Sequence, residues 1–499
     1  MTLLWERGRD SMSIFQNTTE VEVRERRLHS ILSYNGTAQD LNKRSKENAL
    51  NSKIPYYGQC SDCAEGCAET ITYHVVDAAV ISHAPLGCSV NVSNHHILGR
   101  AVSEARGQKT HKVHMISSNI QEKDTVYGAE GKLREAIYEA DKRFKPKTIF
   151  IQASCASGVI GEDLESIANE TEKILGYPII PVYCEGFKSR IWSSGFDAAF
   201  HGILRKLVKK PVRKQADLIN IFNFEGSDLF IPFLKKLDLR VNYLIPLATV
   251  EQIETLTEAA CTAHICETLA TYIASALEGT YGIPEVKVPP PFGIAWTDEW
   301  IREIARFTKR ESLAERVIQE EHQRVLPEIE ELRAKLKGKR VYVLAGDSFA
   351  HNLANIAKDL GLEIAGLNTL HHDLHTDSLA QNNTLDSLVN SVGNIDHFTV
   401  CNKQPYRLIK VLKKIKPDIL IVRHMNLTSL GTKLGIPTLF EGDANYSIGY
   451  DGVVKMGRRF VEALQTKKLV ENIAAHAIFP YTKWWLEEEN PLYFDGGKK

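Results

Sequence analysis

Apolar runs of strand length alternate with amphipathic segments of helix length along most of this chain, and that alternation leaves few folds open. The clearest runs are "KTIFIQAS" (147–154), "YPIIPVYC" (177–184), "DLINIFNF" (217–224), "RVYVLAG" (340–346), "EIAGLNTL" (363–370) and "DILIVRH" (418–424). Strands with helices between them build βαβ units, so the expected class is α/β with parallel sheets in Rossmann-like domains. A weak repeat points the same way. "LGYPIIPV", "YGIPEVKV" and "LGIPTLFE" each set a Gly and then a Pro between a helical segment and a strand. Gly ends a helix in the left-handed conformation and Pro two residues on prevents its continuation. Gly176/Pro178, Gly282/Pro284 and Gly435/Pro437 thus mark three equivalent joints.

A chain of 499 residues exceeds what one core accommodates. Residues 1–50 are polar and weakly periodic and read as an N-terminal extension. Domain I is expected over 51–214, with the tail 444–499 packed back on it. Domain II follows over 215–337 and includes most of the charged helical connector "KRESLAERVIQEEHQRVLPEIEELRAKLKGKR" (309–340). Domain III takes 338–443.

The net charge of −1 gives no electrostatic footprint for nucleic acid. No apolar run is long enough to span a bilayer, and the opening "MTLLWERGRD" carries charges where a signal peptide needs an apolar stretch. The expected location is cytoplasmic, where nine cysteines are not expected to be disulfide staples. There is no GxxxxGKS/T for a nucleotide's phosphates and no GxGxxG after a strand.

Clustered cysteines in a reducing compartment indicate metal or redox chemistry. Cys60, Cys63 and Cys67 share the turn-rich stretch "YYGQCSDCAEGCAE" (56–69), and Cys88 closes "ISHAPLGC". Gly, Ser, Asp and Glu surround the first three, not a core pattern. Thiolates hold iron–sulfur clusters; zinc is the competitor, although no CxxC pair recurs at zinc-finger spacing. Cys155 follows a predicted strand, at the carboxyl end where parallel sheets place their sites. Cys266 stands near the start of a helix whose apolar face runs Leu269, Ile273, Leu277; a helix N-terminus favours thiolate. Cys184 and Cys401 read as small buried hydrophobes.

Taken together and in order, these segments resemble the α-type subunit of nitrogenase component 1. The segments are "VISHAPLGC", "SSNIQEKDTVYGAEGKLREAI", "IQASCASGVIGEDLESIA", "PVYCEGFKS", "CETLATYIASALEGTYGIP" and "GYDGVVKMGRR", covering about residues 55–460. The resemblance implies the three-domain component 1 architecture. It also implies an interface cluster, a P-cluster-like 8Fe–7S or a 4Fe–4S centre, on Cys63, Cys88 and Cys155, with Cys60 and Cys67 as alternatives for the first ligand. A nitrogenase-type Fe–S–C cofactor would hang from Cys266, its heteroatom and homocitrate in doubt. The implied partners are a homologous β-type subunit, in a heterotetramer of two chains of each type, and a separate ATP-hydrolysing iron protein.

Departures from the family pattern bear on substrate. Where nitrogenases carry a Gln and a His facing the cofactor, this chain has Trp192 and Phe196. Ile448 stands where a His anchors the cofactor's far end, and His96 replaces an Arg beside the cavity. The pocket becomes more apolar and a poorer proton relay. His95, His96, His371, His372 and His375 are candidates for proton transfer or for a replacement ligand. This combination is similar to the methylthio-alkane reductases, which cleave C–S bonds of small thioethers such as 2-(methylthio)ethanol. The alternatives are a cofactor-assembly scaffold, a divergent nitrogenase α subunit, and a zinc-stabilised binding protein.

Overall fold

Two all-parallel sheets build the first of two units into which the chain divides. The structure, a computed structural model, describes residues 18–50, 63–223, 228–245, 247–401, 405–424, 427–442, 446–482 and 484. Of these, 18–27, 63–286 and 377–379 belong to unit 1 and the rest to unit 2. Among the described residues no helix is long and apolar enough to cross a membrane.

The larger sheet of unit 1 has four strands in the order Met115–Ser117, Ala78–His83, Thr148–Ala153, Ile179–Val182, every pair parallel. Ala78–His83 and Thr148–Ala153 are buried along their whole length. Ile81, Ile149 and Ile151 form one cluster with Leu133 and Ile137 of the helix Glu130–Phe144 and with Leu164 and Ile167 of the helix Leu164–Leu175. Each such side chain removed from water contributes about 1.5–3 kcal/mol. The helix Leu164–Leu175 starts where the Asp163 carboxylate accepts the Ser166 N–H, and ends at Gly176 in the left-handed conformation. The smaller sheet runs Arg240–Ile245, Gln215–Phe222, Ala259–His264, again all parallel. The Val76 N–H donates to the Ala248 carbonyl (2.9 Å) and the Val250 N–H to the Asp77 carboxylate (2.8 Å), joining the two sheet systems.

Residues 18–27, expected to be extension, carry an anchor for unit 1. Arg24 meets Asp197 through two hydrogen bonds of 2.7 Å, with both side chains 1% exposed. The same guanidinium donates to the Thr268 carbonyl, and the Arg24 N–H donates to Ser194 Oγ. Arg27 adds a second contact to Asp197 and one to Asp377. Asp197 lies on the helix Ser194–Lys206 and Thr268 on the helix Glu267–Tyr281, so one cation ties two helices to the chain's N-terminal segment.

Unit 2 carries a six-stranded sheet in the order Ser33–Gly36, Phe398–Cys401, Glu363–Thr369, Arg340–Ala345, Ile419–Val422, Thr438–Phe440. All pairs are parallel except the first, which is antiparallel. Residues 28–50 therefore supply an edge strand and a capped helix, Ala38–Lys46. "SYNG" has no apolar alternation to betray that strand. The expected connector is one helix, Glu311–Leu336, against which the helix Gly449–Gln465 packs; a Cβ at Gly457 would overlap Leu332 and Leu360. For that reason the C-terminal segment groups with unit 2 and not with the first domain, and residues 287–337 do likewise.

All six strands read from the sequence are present, and the three Gly–Pro joints hold their glycines at φ 80°, 66° and 75°. After the second joint the chain makes only an isolated bridge, Thr262 with Glu285.

Replacing Arg24 by Met should destabilise unit 1 by about 3 kcal/mol, because buried Asp197 keeps only its single contact to Arg27. Denaturant unfolding followed by tryptophan fluorescence measures this. The double variant Arg24→Met/Asp197→Leu should recover a large part of the loss.

Candidate functional site

Cys63, Cys88 and Cys155 come together at the carboxyl edge of the four-stranded sheet. Cys88 sits in the turn Leu86–Asn91 that leaves the strand Ala78–His83, its N–H donating to the Pro85 carbonyl (3.0 Å). Cys155 opens the helix Cys155–Ile160 directly after the strand Thr148–Ala153. Ser154 caps that helix reciprocally with Ser157 and donates from Oγ to the His83 carbonyl (2.8 Å), tying one strand end to its neighbour. Cys63 is the N-cap of the helix Ala64–Thr72. A Cβ at Gly186, beyond the strand Ile179–Val182, would lie 3.2 Å from Cys63 Cβ, 3.4 Å from Cys155 Sγ and 3.6 Å from Cys63 Sγ. The sulfurs of Cys63 and Cys155 thus flank one glycine, whose missing side chain leaves them room.

The stretch read as turn-rich is a buried helix from Ala64 onward, and Cys67 lies inside it, 1% exposed. Cys63 and Cys155 are exposed and Cys88 half-buried. Cys60 lies outside the described residues. Cys184 is buried, its thiol directed at the Ala153 carbonyl (3.4 Å), as a core cysteine should be.

The electrostatics of this corner are unfavourable to negative charge. Burial, then Glu65, Cys63 and Cys155, push the Cys88 thiol up to about 12. Burial and Glu69 raise the Glu65 carboxyl to about 8, against hydrogen bonds from Ser82 and Cys88. The Cys88 thiol beside a buried carboxyl becomes thiolate when positive charge arrives, which iron supplies. Among the described residues no three or more His, Cys, Asp and Glu side chains are arranged to hold one metal ion. Thiolates of a polynuclear cluster bind different irons and need not converge on one point. The residues present fit an iron–sulfur cluster. Exposed apolar side chains crowd round it: Leu86 and Val90 beside Cys88, Val159 near Cys155, and Phe187, which crosses Gly158. Such a patch is suited to a protein partner.

Cys266 is a separate feature of unit 1. It is the N-cap of the helix Glu267–Tyr281, 3% exposed, two residues beyond the strand Ala259–His264. Phe196 is buried on the helix Ser194–Lys206, and Trp192 is half-buried just before it. This helix and the Cys266 helix are linked twice, through Arg24 and through His201, whose Nδ1 accepts from the Tyr272 hydroxyl (2.8 Å) while Nε2–H donates to the Thr18 carbonyl (2.9 Å). In its first turn the helix presses on the one that Cys63 caps, since a Cβ at Gly195 would overlap the Ala64 carbonyl. His96 is exposed on the helix Val92–Ala105 and accepts the Val113 N–H at Nδ1 (3.4 Å); His95 is buried edge-on to Tyr73 and His74.

In unit 2, Ile448 is the half-buried N-cap of the helix Gly449–Gln465. His372 is fixed between Ser45 Oγ (2.6 Å) and Asp347 (3.2 Å), His371 lies 3.6 Å from Asp373, and His375 meets His29 edge-on. Burial works to raise the Asp347 carboxyl, but His372, His351 and His371 outweigh it and hold it below its ordinary range. Sequence reasoning missed Glu65, Gly186, Gly195 and the Arg24–Asp197 pair. Glu65 stands between two cysteines and was the one among them with a local signal.

A parallel-sheet protein with a three-cysteine edge and a second buried cysteine at a helix start is, as a class, a candidate iron–sulfur redox protein. The family model for nitrogenase component 1 type oxidoreductases matches residues 63–465, and the chain belongs to that family. It is 29% identical over 417 residues to the nitrogenase iron-molybdenum cofactor biosynthesis protein NifE of Methanococcus maripaludis, covering 81% of this chain and 83% of that one. It is also 29% identical over 369 residues to the nitrogenase molybdenum-iron protein alpha chain of Methanosarcina barkeri, covering 71% and 67%. The solved structure "Nitrogenase Cp1 at pH 5" superposes with a TM-score of 0.70 at 23% identity, over 85% of this chain and 94% of that one, and shares the fold. Members of this family bind iron–sulfur clusters, pair with a β-type subunit and work with an iron protein.

Gly195→Ala should force the helix Ser194–Lys206 off Ala64 and lower stability by about 1–3 kcal/mol; iron content after anaerobic purification should fall with it. Acid should loosen the same region. Burial lowers His201 from 6.5 to about 4, so the folded state prefers the neutral ring. Its contribution is complete above pH 6.5 and is lost as the pH falls toward 4, at about 1.4 kcal/mol per unit. Urea titrations at several pH values, compared with His201→Gln, measure the difference.

Proposed function

We propose that this chain is the catalytic α-type subunit of a nitrogenase-like reductase that cleaves C–S bonds of small uncharged thioethers, the activity of a methylthio-alkane reductase. The observation that carries the reading is the buried Cys266 at a helix start, in a chain that has Trp192, Phe196 and Ile448 where the nitrogenase pattern has Gln, His and His. A solitary thiol retained at a cofactor position argues for a cluster there. Apolar side chains at those three positions argue for an organic substrate over a small polar one.

Cys63, Cys88 and Cys155 would hold the interface cluster, completed by the β-type subunit across the exposed apolar patch. Cys266 would hold the second cluster, which when bound supplies low-potential electrons to the bond that breaks. Phe196 and Trp192 exclude water and carry no titratable proton, so dinitrogen reduction with homocitrate is disfavoured. His96, exposed at the surface of its helix, is the candidate to pass protons from solvent. The absence of any phosphate-binding GxxxxGKS/T assigns ATP hydrolysis to the separate iron protein.

One observation favours a second reading. Similarity to NifE over 81% of the chain supports a cofactor-assembly scaffold, which would release its cluster instead of turning over. The test is to purify the complex without oxygen and supply iron protein kept reduced by excess dithionite, ATP and 2-(methylthio)ethanol, whose two-electron reduction releases methanethiol, ethylene and water. Methanethiol and ethylene should appear in the headspace, and Cys266→Ala should abolish both. No product, with transfer of the cluster to a cofactor-free nitrogenase, would establish the scaffold instead.

A further inference from the structure

We propose that the Asn223 carboxamide is a hydrogen-bonding contact of the cluster carried by Cys266, an inference that rests on the reading of Cys266 given above. Asn223 is the first residue beyond Gln215–Phe222, the central strand of the three-stranded sheet. Phe222 is in register with His264, and the Ile265 N–H donates to the Phe222 carbonyl (3.1 Å). The two chain segments therefore leave the sheet side by side, one delivering Asn223 and the other Cys266.

Asn223 is 0% exposed, and among the described residues neither its Nδ2 nor its Oδ1 has a hydrogen-bond partner. A primary amide offers two N–H donors and a two-fold acceptor. Burying all of it unpaired carries a desolvation penalty that native interiors rarely bear without a function. On the neighbouring strand end His264, 6% exposed, uses Nε2 toward Glu285 (3.2 Å) and leaves Nδ1 without a partner. Two incompletely satisfied polar side chains at the same sheet edge as a buried, helix-capping cysteine mark a place prepared for a polar, non-protein group. Cluster sulfur accepts N–H hydrogen bonds, and such bonds raise a cluster's reduction potential. Asn223 Nδ2 supplies those donors, and Oδ1 remains to accept from a protonated sulfur or a substrate hydroxyl.

The test compares Asn223→Leu, of the same branching but apolar, with the parent complex; Asn223→Ser serves if Leu does not fit. In cluster-free complex the Leu variant should melt at the same temperature or higher, because the deleted amide had nothing to lose. In loaded complex its paramagnetic resonance g-values should move and the midpoint potential should become more negative. A lower melting temperature without cluster, together with an unchanged spectrum and potential when loaded, overturns the proposal and makes Asn223 structural. Cys266→Ala separates the two levels. If it removes the signal while Asn223→Leu does not alter it, only the Asn223 contact fails. If it leaves the iron and the signal intact, the reading of Cys266 fails and takes this one with it.

Discussion

Arg24 and Asp197 meet inside unit 1 with almost no water near either, and much of the site hangs on that meeting. The guanidinium fills both carboxylate oxygens and then reaches the Thr268 carbonyl at the start of the Cys266 helix. A bidentate pair fixes orientation as well as distance, which a single ammonium could not do. Buried ion pairs add little net stability, because desolvation consumes most of the attraction. Geometry is what this one provides. The helix with Phe196 and the helix with Cys266 are held in one arrangement, and His201 with Tyr272 repeats the link.

The polarity of the parallel strands does the rest. In parallel sheets every strand delivers its carboxyl end to the same edge, so segments distant in sequence arrive as neighbours. Cys88, Cys155 and Gly186 leave three adjacent strands of one sheet in this way. Asn223 and Cys266 leave two adjacent strands of another. Cys63 comes from outside the sheet, on a helix pressed against Gly195. The small side chains are as necessary as the reactive ones, since a methyl group at Gly186 or Gly195 would occupy space that sulfur or backbone now fills.

Several features could be read before any coordinates existed. Ile419–Val422 is apolar throughout and Thr148–Ala153 largely so, because both faces are covered, which makes them legible as runs. Gly176, Gly282 and Gly435 were legible because a left-handed residue followed by Pro has few other uses. Ser33–Gly36 was not, because an edge strand needs only one apolar contact, here Tyr34. Arg24 falls in the stretch read as a polar extension, and nothing local to "VEVRERR" says which arginine is buried. The segment holding Cys63 and Cys67 looked like a turn because its Gly and acidic residues weigh against a helix. Burial of that helix overrides the propensity and raises the Glu65 carboxyl to about 8.

The amino-acid order by itself determined the α/β class, the positions of the helix ends, and the cysteines with the chemistry to hold iron. It could do so because these are local properties: periodicity over a few residues, backbone conformations open to glycine, the affinity of thiolate for metal. Only the tertiary structure decided that Cys63 and Cys155 share one glycine, that Cys67 faces the core, that Arg24 reaches Asp197, and that Asn223 is buried with nothing to bond among the described residues. Those are relations between residues up to about two hundred positions apart, set by which strands lie side by side, and no local pattern encodes them.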